Sequence, residues 1–181
     1  MEMISFIQND TSKRVLQCTS QPIVNFSPLP VYAFFHVNDT LICANDFVAF
    51  QNLSMGDVEN VHWFFDGGIP TESNEFEPHV QYPLEGDFEV SLVVSNSVSN
   101  DTLSISEFIH VQALPDISFH SLPEFCHNQS YYHLTEGNPD SGSYFGLFVD
   151  TGYFHPQAAG IGNHPLFYTY QDIQSGCSDT V

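Results

Sequence analysis

Five aromatic residues in the last third of the chain have the chemistry needed to hold a sugar. They are Tyr131, Tyr132, Phe145, Phe148 and Tyr153. An exposed aromatic ring presents a flat apolar face, and ligand sites for sugars use such faces together with a few polar groups. Alternating aromatic residues, however, are more often buried in a strand core. Burial of these rings therefore separates a ligand site from a packed core, and the sequence leaves both interpretations open.

Calcium binding is a second candidate chemistry. Asp57, Glu59 and Asp66 lie in turns on either side of the only tryptophan, Trp63. Oxygen-rich turns can gather the roughly six to eight ligands that Ca²⁺ takes. No EF-hand spacing is present, and acidic residues are also ordinary turn formers. We therefore expect no cofactor, with calcium as the alternative.

Catalytic motifs are missing from the sequence. There is no G-x-S-x-G elbow, P-loop, H-E-x-x-H or C-x-x-C. The nine histidines are scattered without metal-ligand spacing. Acidic pairs such as Glu85 and Asp87 have the chemistry of a glycosidase acid and base. They lie in predicted turns with no aromatic cleft, so solvated loop charge is the better interpretation. We predict that the chain is not an enzyme.

Charge and composition narrow the class of partner and compartment. Lys and Arg total 2 against 22 Asp and Glu, giving a formal net charge of −20. This charge disfavours nucleic acid and anionic membrane surfaces as partners. No apolar run approaches about 20 residues, so we expect no membrane insertion. Four cysteines among many aromatic residues indicate a secreted β-protein. The first ten residues lack the features of a signal peptide, so an exported chain would need a signal upstream.

Strands must position these residues, and the clearest ones lie between residues 61 and 96. One face of the first strand consists of Val61, Trp63 and Phe65. The same period of two recurs in a second strand at Phe88, Val90, Leu92 and Val94. Tyr82 precedes the turn between them, where we expect a buried ring whose hydroxyl bonds a backbone group, as in a tyrosine corner. No segment has a helical period long enough for a helix.

The spacing of these positions resembles a polycystic kidney disease (PKD) domain. The matching positions are Trp63-x-Phe65, a Gly/Asp turn, Pro78, Val80, Tyr82, Gly86, Phe88-x-Val90-x-Leu92 and Asn96. The chain departs from the usual W-x-F-G-D-G by placing Asp66 one position early. The resemblance spans residues 31–114 and implies an extracellular β-sandwich spacer or adhesive module.

Residues 115–181 resemble a second family, the immunoglobulin-like repeats of large surface proteins of gliding, biofilm-forming Gram-negative bacteria. The matching positions are Cys126, Leu134, Gly137, Pro139, Gly142, Tyr144, Gly146, Phe154, Pro156, Gly160, Gly162, His164, Tyr168, Tyr170 and Cys177. Such repeats often occur in tandem with PKD domains. Phe145 and Leu147 replace smaller residues of the family, and the departure suggests a sticky surface patch.

The resemblances also imply two disulfides. The bracketing cysteines of the second family commonly pair, so we predict a bond between Cys126 and Cys177. Related PKD domains often place a partner for a cysteine like Cys43 in the loop after Asn96, and this loop has none. Cys18 is then the remaining partner for Cys43, and the alternative is that both are free.

Together these patterns predict an all-β chain of two tandem antiparallel immunoglobulin-like β-sandwiches. We expect an N-terminal segment at 1–30, which resembles the tail of a preceding repeat, a PKD-like sandwich at 31–114 and a second sandwich at 115–181 truncated at its last strand. The predicted function is a spacer and adhesive module of a large repetitive protein, extracellular on a bacterial surface or secreted. Its expected partners are neighbouring repeats and cell-surface or extracellular polymers. The alternative is an accessory carbohydrate-binding module of a secreted hydrolase.

Overall fold

Nearly all regular structure in the chain is β, as the sequence predicts. The computed structural model describes residues 2–8, 15–22 and 27–181, the first two segments as backbone strands only. The strands up to residue 112 are β1 (Glu2–Gln8), β2 (Val15–Pro22), β3 (Phe35–Val37), β4 (Leu41–Cys43), β5 (Phe47–Asn52), β6 (Asn60–Phe65), β7 (Glu72–Ser73), β8 (His79–Gln81), β9 (Gly86–Ser95) and β10 (Asn100–Gln112). β1 and β2 pair as an antiparallel hairpin.

The elements after residue 115 are shorter. They are β11 (Ser118–Phe119), β12 (Tyr132–His133), β13 (Gly137–Asn138), β14 (Ser143–Gly146), β15 (Val149–Asp150), β16 (Tyr153–Phe154), α1 (Pro156–Ala159), β17 (Leu166–Gln171) and β18 (Ser178–Thr180). The single helix of the described part, α1, has Pro156 in its first turn, where the missing N–H of proline does no harm.

Two sheets form the first unit and enclose its core. One has the order β4-β10-β9-β6-β7 and the other the order β3-β5-β8. Pairing is antiparallel except between β4 and β10, which run parallel. Trp63 is fully buried at the centre, with the rings of Phe35 and Phe50 at 5.4 and 5.6 Å from its own. The buried faces of β6 and β9 are therefore those that the alternation predicts.

Tyr82 differs from the prediction in one respect. Its ring is completely buried, but its hydroxyl has no hydrogen-bond partner among the described residues. The tyrosine-corner hydrogen bond is therefore not formed. Burial, and secondly the charge of Asp66, raise the pKa of Tyr82, so the hydroxyl stays neutral.

The second unit consists of three small sheets, and Tyr168, on β17, is completely buried within it. The orders of the sheets are β11-β13, β12-β16-β15 and β14-β17-β18. The Tyr168 hydroxyl donates to the carbonyl of Pro139 and accepts from the amide of Gly142 at 2.8 Å. A Cβ at Gly137 or Gly142 would lie 2.3 or 2.2 Å from the Tyr168 side chain. These glycines are therefore needed for close approach of the chain to the ring, not for a left-handed turn.

The disulfide of this structure joins the two units. Cys43, at the end of β4, bonds to Cys177, just before β18, with a Cα–Cα distance of 5.7 Å. The predicted bonds from Cys126 to Cys177 and from Cys18 to Cys43 are therefore wrong. Cys126 is a free, exposed thiol on the loop before β12. Its predicted partner, Cys177, is bonded to Cys43 instead. Cys18 lies in β2, whose side chains are outside the described residues.

Candidate functional site

The sheet β12-β16-β15 has one face in the core and one in solvent. Tyr132 and Phe154 are register partners on the inner face, and Phe125 packs on both, with ring centroids at 4.8 and 5.4 Å. Because side chains alternate along a strand, the neighbours of Tyr132 point outward. The outer face therefore holds Tyr131 and His133.

Three rings on this outer face form an exposed cluster, the Tyr131–His133–Tyr153 cluster. Tyr153 is the register partner of His133, and their rings stack with centroids 4.7 Å apart. Tyr131 meets Tyr153 nearly at a right angle, at 5.7 Å and 84°. Tyr131 is 60% exposed and Tyr153 is 38% exposed. The cluster therefore has aromatic surface available to a ligand.

A polar groove of about 650 Å³ begins at His133. Its polar lining comes from Thr135, Asp140, Ser143, Tyr144 and Thr151. Hydroxyl groups both donate and accept hydrogen bonds, and the carboxylate accepts them. The groove therefore extends the aromatic cluster with groups suited to a ligand rich in hydroxyls.

The two-residue turn between β15 and β16 borders the groove. Thr151 has φ 47° and Gly152 has φ 82°. Positive φ is ordinary for glycine and unfavourable for a β-branched residue. The Thr151 hydroxyl donates to Asp150 Oδ1 at 3.1 Å. A two-residue hairpin turn commonly requires positive φ at both of its central residues, so the turn itself accounts for these values.

Glu136 braces the loop that leads from β12 into the groove. It accepts from the Tyr132 hydroxyl at 2.6 Å and from the Thr135 amide at 2.8 Å. Desolvation tends to raise the pKa of Glu136, but the hydrogen bonds from Tyr132 and from the backbone outweigh it and lower the pKa. The same hydrogen bond, and then burial, raise the pKa of Tyr132. The pair is therefore a neutral phenol donating to a carboxylate.

The five aromatic residues singled out in the sequence do not form one site. Tyr131 and Tyr153 come together, whereas Tyr132 lies on the opposite face of their sheet. Phe145 stacks on Phe167 in another sheet, with centroids at 5.3 Å. Phe148 packs edge-on against His164, at 5.9 Å.

His133 is the member of the cluster that sequence reasoning missed. Its spacing of two residues from Tyr131 in a strand is the signal that would have placed both on one face. Because the nine histidines lack metal-ligand spacing, the sequence assigns none of them a binding role.

A second cavity, of about 680 Å³, lies beside the inner face of this sheet. Phe125, Phe154, Ile161 and His164 are among its lining residues. His164 Nε2 lies 3.2 Å from the carbonyl oxygen of Gly160. The cavity opens where α1 leads towards β17.

The acidic residues considered for calcium are divided between two ends of a strand. Asp57 and Glu59 precede β6, and Asp66 follows it. A strand of this length separates its ends by about 20 Å. Asp57 Oδ2 instead accepts from the amide of Leu29 at 2.8 Å. The three do not form one site, and residues 27–181 contain no group of three or more His, Cys, Asp or Glu side chains placed to hold a metal.

The first unit has a family match. Residues 35–106 match the family model of the PKD domain. The predicted PKD resemblance is thus confirmed over this segment, which we call the PKD segment. The resemblance of residues 115–181 to immunoglobulin-like repeats stays a prediction. No curated protein matches the chain by sequence.

Several solved structures are similar to parts of the chain. The PKD1 domain of Vibrio anguillarum Epp is 22% identical, covering 48% of this chain and 100% of its own, with a TM-score of 0.38. A Methanosarcina mazei protein is 23% identical, covering 60% and 72%, with a TM-score of 0.38. A carbohydrate-binding module of the β-sandwich superfamily is 14% identical, covering 77% and 53%, with a TM-score of 0.41. In the described part of the chain, no helix is long and apolar enough to cross a membrane.

Proposed function

We propose that the chain is a non-catalytic extracellular module of a large repetitive surface protein, acting as a spacer and in adhesion to neighbouring repeats or extracellular polymers. The observation that supports this function is the bond between Cys43 and Cys177. Disulfides persist in oxidising compartments, and PKD domains are typically extracellular. A spacer also needs its units held in a fixed relation, which a covalent bond between them provides.

The position of the disulfide suits a short, stiff spacer. Cys43 is the register partner of Gln112, the last residue of β10. Cys177 Sγ lies 3.9 Å from the side-chain oxygen of Gln112. The chain therefore leaves the first unit at Gln112, the end of β10, and returns to the same place at Cys177. Both ends of the second unit are held at one point, which limits how far the units can separate.

Antibody labelling of intact cells tests the proposed extracellular location of the chain. Adhesion of chain-coated beads to cells tests its proposed adhesive role. An antibody against the chain should label intact cells of the source organism, and external protease should remove the signal. Beads coated with the chain should adhere to those cells better than beads coated with a reduced and alkylated sample. Labelling only after permeabilisation would contradict the proposal, as would hydrolysis of a glycan or peptide by the isolated chain.

A second candidate function is that of an accessory carbohydrate-binding module of a secreted hydrolase. The observation that favours it is the grouping of the exposed Tyr131 and Tyr153 rings with His133 beside a polar groove. Binding of the isolated chain to a soluble oligosaccharide distinguishes this function from a spacer. Attachment to cells without oligosaccharide binding would favour the spacer.

A further inference from the structure

We propose that the Tyr131–His133–Tyr153 cluster and the groove beside it form a binding site for a neutral oligosaccharide. This inference rests on the second candidate function and specifies its site and ligand class. The site consists of aromatic surface for the apolar face of a sugar ring and a hydroxyl-lined groove for the next residue of the polymer.

The aromatic part of the site is preorganised. Tyr153 is held by its stack on His133, at 4.7 Å, and by strand pairing on both sides. Tyr131 stands at 84° to Tyr153, so a ring placed against the face of one tyrosine meets the edge of the other. Rings that are fixed before binding lose little side-chain entropy when the ligand arrives.

The polar part of the site starts where the aromatic part ends. His133 lines the groove and also contacts Tyr153. Four hydroxyl side chains line the groove beyond it, together with one carboxylate, and they belong to Thr135, Ser143, Tyr144, Thr151 and Asp140.

Charge decides between neutral and anionic ligands. The chain has a formal net charge of −20, and its only Lys and Arg residues are Lys13 and Arg14. No lysine or arginine therefore occurs in the sequence of the second unit to pair with a carboxylate or sulfate. Asp140 and Asp150, both exposed beside the cluster, repel anions further. These charges favour a neutral polymer over one that carries uronate or sulfate groups.

A basic peptide is the competing occupant, since negative charge attracts it. The groove has a single carboxylate, Asp140, among several hydroxyl groups. A site built for lysine or arginine would instead surround the cation with carboxylates. The lining therefore favours the sugar.

Calorimetric titration of the full chain tests the proposal. The probes are hexasaccharides of β-1,4-glucan, β-1,3-glucan, β-1,4-xylan and β-1,4-mannan, with oligogalacturonate and an octalysine peptide as charged comparisons. We expect at least one neutral probe to bind. Tyr131→Ala and Tyr153→Ala should each weaken that binding by about tenfold or more, as loss of a central aromatic contact does.

Tyr32→Ala is the matched control. Tyr32 is 59% exposed, close to the 60% of Tyr131, and lies in the first unit. This variant should bind like the wild type, and thermal melts should show that all variants are folded. Neutral-probe binding that survives both Tyr131→Ala and Tyr153→Ala would overturn the site but keep the carbohydrate function. If no neutral probe binds, both the proposed site and the carbohydrate-binding function are overturned. If octalysine binds more tightly than every neutral probe, the proposed ligand class is wrong.

Discussion

The hydroxyl of Tyr82 is a buried polar atom without a partner among the described residues. Such an atom reduces stability because it loses hydration and gains no hydrogen bond. We expect Tyr82→Phe to leave the free energy of unfolding unchanged or to raise it by about 1 kcal/mol. Urea denaturation of both proteins measures the difference. A decrease of about 1 kcal/mol or more would show that the hydroxyl is bonded after all, as in a true tyrosine corner.

Asp172 organises the turn that leads to Cys177. Its carboxylate accepts from the amide of Gln174 at 3.0 Å and from the hydroxyl of Ser175 at 3.2 Å. The hydrogen bond from Gln174 is the largest effect that lowers the pKa of Asp172 below 3.8. A lowered pKa in the folded state adds stability at pH values above the unfolded pKa, and this stability is lost as the pH falls through the folded pKa.

Asp172→Asn should therefore lower the Tm at neutral pH, and the difference from the wild type should shrink between about pH 5 and pH 3. The effect is small because the carboxylate is open to solvent. Calorimetric melts across this range measure it. A Tm difference that is constant with pH would show that the charge of Asp172 is irrelevant to the turn.

At the scale of elements, β6 shows how strongly its two faces differ. Trp63 is fully buried and its indole donates to the carbonyl of Glu75 at 3.0 Å. The next residue, Phe64, is 46% exposed. Trp63→Ala should lower the free energy of unfolding by about 3–5 kcal/mol, because it leaves a cavity and an unpaired carbonyl. Phe64→Ala is the control on the same strand and should change it by less than about 1 kcal/mol. Equal effects in chemical denaturation would contradict the assigned faces.

Local patterns in the sequence predict elements well and distant contacts poorly. The alternation at Val61, Trp63 and Phe65 predicts a strand and its buried face because both depend on neighbouring residues only. The partner of Cys177 depends on how two units dock, and no local pattern contains that information. The Tyr131–His133–Tyr153 cluster is half predictable from the sequence for a related reason. Tyr131 and Tyr153 have the expected chemistry, but their proximity depends on the pairing of β12 with β16.

At the scale of the whole molecule, the disulfide closes a loop with a sequence separation of 134 residues. Closing a loop of this length removes chain entropy from the unfolded state worth about 5 kcal/mol in the simplest model. The double variant Cys43→Ser/Cys177→Ser should therefore lose about 2–5 kcal/mol of unfolding free energy. Denaturation without reductant measures the loss. Cys126→Ser is the control and should match the wild type, because Cys126 is unpaired and exposed.

The same bond determines which part of the molecule transmits a pulling force. When the chain is pulled by handles at its two ends, tension passes from Cys43 directly to Cys177 through the sulfur atoms. Everything between them, including Trp63 and the aromatic cluster, lies outside the load path and keeps its shape while its neighbours are stretched. In single-molecule pulling, reduction should release about 450 Å of additional extension, given the 134-residue separation and the length of an extended residue. Equal extension before and after reduction would show that the bond does not shield these residues. In the proposed adhesive role, this bond would let the second unit hold a ligand under shear without unfolding.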